Sequence, residues 1–233
     1  VHKRLVYELD WAGSREHCDR GYKLMRDFEP FAALAEVILH HHTHWESPLR
    51  QGIAPGQFRL SNLIHLADRV DALISQCQES DLLLARKPIR ARAETLAGSF
   101  FDPTLVKAFL ETSASEAFWL TLEAHHLERQ ISEAAVHFAD SRELTSPELM
   151  RLAQIFARIV DDKSAFTAEH SVGVSRLACL LGRLSGLPAK DCELLEIAGL
   201  LHDIGKLRVP DEVLDKPGPL NEAEFAVIER HTF

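Results

Sequence analysis

Cysteine is scarce in these 233 residues: Cys18, Cys77, Cys179 and Cys192, with no C-x-x-C pair among them. That excludes a disulfide framework and predicts four separate reduced thiols in a cytoplasmic protein. No apolar run approaches the ~20 residues that a membrane span needs, and no secretory signal is present. Glycine and proline are few, 11 and 10, and no segment is low in complexity, so disorder is not the default reading. No stretch alternates convincingly as a strand would. Positive charge is in deficit, with 26 Lys+Arg against 35 Asp+Glu and a formal net charge of -9. Such a surface repels a polyanion and argues against long DNA or RNA as a partner. A small phosphorylated ligand stays open where a metal supplies local positive charge. The chain begins at Val1 rather than Met and stops abruptly at "ERHTF", so a piece of a longer protein is expected.

What is present is helical periodicity. At 46% hydrophobic and 26% charged, the chain can bury one large core or two modest ones. Residues 31–42 place Leu34, Val37, Ile38 and His41 at the spacing of one helix face. The run "LSNLIHLADRVDALISQC" repeats the pattern with Leu63, Leu66, Ala67 and Val70. A further helix starts with Ser146 as N-cap and Pro147 at its first position. Another covers "EHSVGVSRLACLLGRL" and ends near Gly186, and Asn221 with Glu224 has capping-box spacing. Loops are predicted over 46–59 and 210–220, where Pro and Gly cluster, and a long helical connection over 116–160. The expected fold class is all-α, with a boundary near 143–147 dividing residues 1–143 from 144–233.

The chemistry gathers late in the chain. The apolar helical run "LEIAGLLHDIGKLRVP" ends in His202-Asp203 and then Gly205-Lys206. Histidine and aspartate suit borderline divalent metals. Neighbouring residues cannot share one azimuth in mid-helix, but at a helix end the chain can turn so that both reach an ion. An aspartate there can bridge two ions, as a two-metal hydrolase requires. Lys206, four residues after His202, can hold a phosphate oxygen. Gly205 permits either a close backbone approach or a helix stop. His170 and His231 are the remaining candidates. On the residues alone, a surface His-Asp pair or a cap is the commoner reading.

The stretch from Ala165 to Phe233 resembles the first half of an HD-GYP domain, a bacterial branch of the HD metal-dependent phosphohydrolases. The resemblance rests on Thr167-Ala168-Glu169-His170-Ser171, on Leu200-Leu201-His202-Asp203-Ile204-Gly205-Lys206, and on "LDKPGPLNEAE" followed by His231. It implies metal ligation by His170, His202, Asp203 and His231, and substrate phosphate contact by Lys206. Asp203 and Lys206 are thereby the implied catalytic residues. It implies two divalent ions, iron or manganese foremost, and hydrolysis of the bacterial messenger cyclic di-GMP. Some members carry a third metal on a glutamate one turn before the first histidine; that position here is Phe166. The family pattern continues past Phe233 with a His pair, a Gly-Tyr-Pro loop and a final Asp.

The early half resembles that missing part in degraded form. His17 matches the family's histidine before a helix, and His41-His42 match the pair. Thr43, Glu46 and Ser47 replace Glu, Asp and Gly, and Leu49-Arg50-Gln51 stands where Gly-Tyr-Pro would be. Asp68 falls at a metal-ligand position, and residues 99–109 resemble the end of such a unit. The resemblance therefore implies the back half of one HD helical bundle followed by the front half of a second. Being complementary in order, the halves could share one site, with His41, His42 and Asp68 joining His170, His202 and Asp203. A swapped homodimer could achieve the same between chains. A non-catalytic HD-fold signalling module that binds partner proteins, and a nucleotide phosphohydrolase of the wider HD superfamily, remain alternatives.

Overall fold

A computed structural model of the chain describes residues 14–76, 82–122, 126, 129–133, 143–163 and 169–232. Among these, extended pairing is confined to the isolated Ala97–Phe101 bridge, so the all-α expectation holds. Cys77 and the Phe166–Thr167 stretch lie outside the described residues. The chain divides into two units, Val1–Ser141 and Arg142–Phe233.

The first unit begins with α1 (Ser14–Met25) and α2 (Glu29–Leu39), and a short 3-10 turn (Pro48–Gly52) precedes α3 (Pro55–Ser75). Gly21 lets α1 lie close on α2: a Cβ there would meet Ile38 Cγ2 at 2.7 Å. The α2 helix stops at Leu39, earlier than the periodicity predicts. His40 caps it, and His41 Nδ1–H donates to the Ile38 carbonyl at 2.5 Å, satisfying one of the orphan acceptors of a helix end. His41 and His42 therefore leave the helix and turn toward α1. The predicted loop over 46–59 ends early, because Pro55 can open α3 without losing a needed N–H.

The buried face of α3 also differs from the apolar stripe read in the sequence. Leu66 and Val70 are buried, but Leu63 and Ala67 are exposed, and polar Ser61, Asn62 and His65 are buried with Phe58. Hydrogen bonds explain the exchange at Ser61 and Asn62. Ser61 Oγ donates to the Val37 carbonyl at 2.9 Å, and Asn62 bridges the Phe100 carbonyl and the Asp102 amide at 2.9 and 2.7 Å. Beyond α3 lie α4 (Leu82–Thr95), α5 (Pro103–Thr112) and α6 (Glu116–Leu120). Their core is centred on Trp119, fully buried among residues such as Val70, Ile89 and Phe101, with its Nε1–H on the Ser113 carbonyl.

The second unit holds α7 (Ser146–Lys163), α8 (His170–Leu184), α9 (Ala189–Leu201), a 3-10 turn (Ile204–Arg208), α10 (Asp211–Leu214) and α11 (Glu222–Glu229). The α7 cap sits one residue before the expected Ser146: Glu148 accepts from both the amide and the hydroxyl of Thr145. The capping box of Asn221 and Glu224 is formed. Its Glu224 carboxyl is held below its ordinary range by the Lys216 ammonium that donates to it. Helices α8 and α9 pack unusually closely at Gly199, where a Cβ would lie 2.6 Å from Ser175 Cα; Ser175 Oγ there donates to the Glu196 carbonyl. That approach sets the ends of the two helices, and so His170 and His202, side by side.

Candidate metal centres

Asp203 is the hub of the second unit. It is 7% exposed and directly follows the end of α9, where the helix gives way to the 3-10 turn. Its Oδ2 faces three groups: Lys206 Nζ at 2.5 Å, His202 Nε2 at 3.2 Å and His170 Nε2 at 3.9 Å. Its Oδ1 faces His231 Nε2 at 3.6 Å. The Lys206 contact is favoured by the 3-10 turn, in which residues three apart eclipse. Ligand atoms of His170, His202 and Asp203 all lie within 4.8 Å of one another.

Gly205 resolves as a site of close approach rather than a helix stop. An added Cβ would lie 1.7 Å from the His231 carbonyl oxygen, so only glycine lets the C-terminal histidine reach Asp203. His202 and His231 share a local device. Each donates Nδ1–H to the carbonyl three residues earlier, Gly199 at 2.9 Å and Ile228 at 2.5 Å. A carbonyl can only accept, so Nδ1 carries a proton and Nε2 is the atom that each of these rings turns toward Asp203. Imidazole nitrogens and carboxylate oxygens face each other at 3.2–3.9 Å. Both are ligand types of divalent ions, so this donor set fits a divalent metal.

The first unit gathers histidines of a different character. His17 from α1 and His41 and His42 from the turn after α2 bring ligand nitrogens within 4.8 Å of one another, and His17 Nε2 lies 3.2 Å from His41 Nε2. His41 uses the same Nδ1-to-carbonyl device. Cys18 Sγ is 3.5 Å from His41 Nδ1, and burial pushes its thiol up to about 11. Burial, then neighbouring His41 and His17, lower His42 to about 4. His65, 1% exposed and edge-on to His42, is lowered by burial to about 3, and its Nδ1 has no hydrogen-bond partner. Asp68 does not join this group: Arg69 holds its Oδ2 through Nε at 2.9 Å. A cavity of about 420 Å³ opens beside the histidines, bounded by Arg15, His40, His42 and His44. The stretch matching the lost Gly-Tyr-Pro loop is pinned instead, with Arg50 stacked 3.6 Å over Trp45 and the Trp45 and Glu46 amides on the Phe100 and Ser99 carbonyls.

Sequence reasoning missed His65 and Asp161. Asp161 draws no notice at the end of a helical run, yet it is 5% exposed and accepts from Ser171, next to His170.

Residues 167–233 match the HD domain family. Similarity to whole proteins extends through both units. Over 98% of this chain and 54% of the relative, the sequence is 35% identical to 3'3'-cGAMP-specific phosphodiesterase 1 of Vibrio cholerae. Over 92% of this chain and 45% of the relative, it is 32% identical to 3'3'-cGAMP-specific phosphodiesterase 3 of that species. A cyclic di-GMP phosphodiesterase of Pseudomonas aeruginosa is 38% identical over 41% of this chain and 23% of its own. A crystal structure of a cyclic GMP-AMP-specific phosphodiesterase of V. cholerae superposes with a TM-score of 0.61 at 30% identity, covering 93% of this chain and 53% of that one. The chain thus spans about half the length of the relatives it matches along its full extent.

Proposed function

We propose that this chain, which belongs to the HD-GYP branch of the HD-domain family, is part of a metal-dependent phosphodiesterase that hydrolyses cyclic dinucleotides in bacterial signalling. The observation that carries the reading is the Asp203 centre, where one buried carboxylate offers each of its oxygens to a different set of imidazoles. On this reading His170, His202, Asp203 and His231 would hold two divalent ions, with the two Asp203 oxygens available to them. Bound there, iron or manganese supplies a water acidic enough to ionise near neutral pH and offsets phosphoryl charge.

The chain's own groups do the rest. The carbonyl-anchored rings of His202 and His231 keep their Nε2 atoms aimed inward without a conformational search. The Lys206 ammonium, resting on Asp203, is within a side-chain swing of a phosphoryl oxygen and takes up charge there as the reaction proceeds. Water adds to phosphorus in line, one phosphodiester P–O bond breaks, and the departing sugar oxygen takes up a proton. The ring opens to a linear dinucleotide.

The relatives that align along nearly the whole chain are named for 3'3'-cGAMP, whereas the cyclic di-GMP enzyme aligns over 41% of it. This favours 3'3'-cGAMP as the preferred substrate over the cyclic di-GMP implied by sequence resemblance. We assign residues 1–143 to a degenerate HD-type half-unit and 144–233 to the N-terminal part of an HD-GYP domain. The degenerate half-unit keeps a three-histidine group able to hold a metal, and no carboxylate oxygen belongs to that group. It is therefore read as non-catalytic. A cytoplasmic setting suits the unpaired buried thiols of Cys18, Cys179 and Cys192.

The test is hydrolysis of 3'3'-cGAMP and cyclic di-GMP, side by side, by the full-length protein loaded with manganese. Asp203→Ala is expected to abolish turnover of both while leaving far-UV circular dichroism unchanged. Turnover retained by a folded Asp203→Ala protein sinks the assignment. Faster cleavage of cyclic di-GMP overturns the substrate preference alone.

A further inference from the structure

The matched HD region begins at residue 167, yet two side chains on α7, which ends before it, grip the metal centre from outside. Asp161 lies on the last full turn of α7 and is 5% exposed. Its Oδ1 accepts the Ser171 hydroxyl at 2.7 Å, and its Oδ2 accepts the Ser171 backbone amide at 3.3 Å. Ser171 is fully buried and is the second residue of α8, directly after His170. Its amide is one of the donors that a helix N-terminus leaves without an intrahelical partner. No side chain of α8's own N-cap residue, Glu169, satisfies that end. Asp161 thus acts as a cap supplied from another helix, and its charge sits at the positive end of the α8 dipole. Two residues on, Lys163 Nζ donates to the Leu207 carbonyl at 2.9 Å and lies 3.4 Å from Asp211 Oδ1. Leu207 adjoins Lys206. One turn of α7 therefore grips both sides of the centre, the helix that begins with His170 and the 3-10 turn that carries Lys206.

From this arrangement we infer that Asp161 is a positioning residue for the metal centre: it fixes the azimuth and depth of His170 through Ser171, and the working unit begins at α7 rather than at the HD match. The inference rests on the reading of His170, His202, Asp203 and His231 as metal ligands. A cap that serves stability alone would leave metal affinity unchanged when it is lost from a chain that still folds, whereas loss of a positioning carboxylate should loosen metal without melting the helices.

The experiment is a titration of the 233-residue chain with Mn2+, followed by electron paramagnetic resonance, with the Asp203→Ala protein defining the Asp203-dependent binding. Asp161→Ala is expected to weaken that binding by roughly 10- to 100-fold, the usual effect of losing a partner that orients a ligand. Asp161→Asn keeps an acceptor for the Ser171 hydroxyl and should fall between Asp161→Ala and the unaltered chain. Ser171→Ala should weaken binding, and Asp161→Ala with Ser171→Ala together should be no worse than Asp161→Ala alone, because both act through one contact. Mn2+ affinity within twofold of the unaltered chain in Asp161→Ala, while Asp203→Ala loses binding, overturns the inference and leaves the metal reading standing. Additive losses in the double variant overturn it as well. Mn2+ binding undiminished by Asp203→Ala removes the metal reading and this inference with it. Should Asp161→Ala fail to fold, Asp161→Asn and Ser171→Ala decide the matter by the same criteria.

Discussion

Gly205 has no side chain to contribute, yet it determines whether His231 can reach Asp203. A methyl group there would occupy the space of the His231 carbonyl, 1.7 Å from its oxygen. Gly205→Ala should therefore displace the C-terminal histidine and cost about 1–3 kcal/mol, the range for forcing bulk into a closed contact. Chemical denaturation would give the cost, and loss of His231 from the Asp203 centre would appear as weakened Mn2+ binding. Wild-type stability and metal affinity in that variant would contradict the geometry. At this scale the sequence revealed residue types but not partners. His202, Asp203 and Lys206 stand together in "LLHDIGK" and invite a site, whereas Asp161 at the end of a helical run and His65 in an apolar repeat give no local sign of burial. Their partners, Ser171 and His42, are 10 and 23 residues away, and such pairings arise only from helix packing.

At the scale of elements, α3 shows what periodicity can and cannot supply. The helix itself is legible from its apolar spacing, but the spacing selects Leu63 and Ala67 for a face that packing leaves in solvent. Hydrogen bonding outweighs hydrophobicity there: Ser61 and Asn62 are buried because they bond the Val37 carbonyl on α2 and the backbone of the segment before α5, while His65 packs edge-on against His42. Asn62→Ala should cost about 1–3 kcal/mol, chiefly because the Asp102 amide is left buried without an acceptor. Leu63→Ala on the exposed face should cost under about 1 kcal/mol. Urea unfolding of the two variants would rank them, and a larger loss for Leu63→Ala would restore the apolar-stripe reading. Helix ends were legible where caps lie in sequence, as at Asn221 and Glu224. They were missed where a histidine ring supplied the closing bond, as at His41.

At the scale of the whole molecule, the division into two units gives a selective probe. All three tryptophans, Trp11, Trp45 and Trp119, belong to the first unit, so tryptophan fluorescence follows that unit alone. Burial lowers His42 to about 4 and His65 to about 3, below the ~6.5 of an unfolded chain. Below pH 6.5 the unfolded state therefore binds protons that the folded state refuses, and stability falls with pH until the folded values are reached. In the presence of a chelator, the tryptophan-monitored unfolding free energy should drop between pH 7 and pH 5, by up to about 2 kcal/mol for buried His65 and by less for the partly exposed His42. His65→Leu should flatten that slope, and a midpoint indifferent to pH over the range would refute the burial argument. In the other unit, the meeting of Gly205 with His231 has a consequence for divergence. It pinches the chain into an eyelet, and the α10–α11 excursion that forms its loop can change length or surface without displacing His231 while the eyelet stays shut. Relatives can therefore diverge along the excursion while the centre behind it is inherited unaltered.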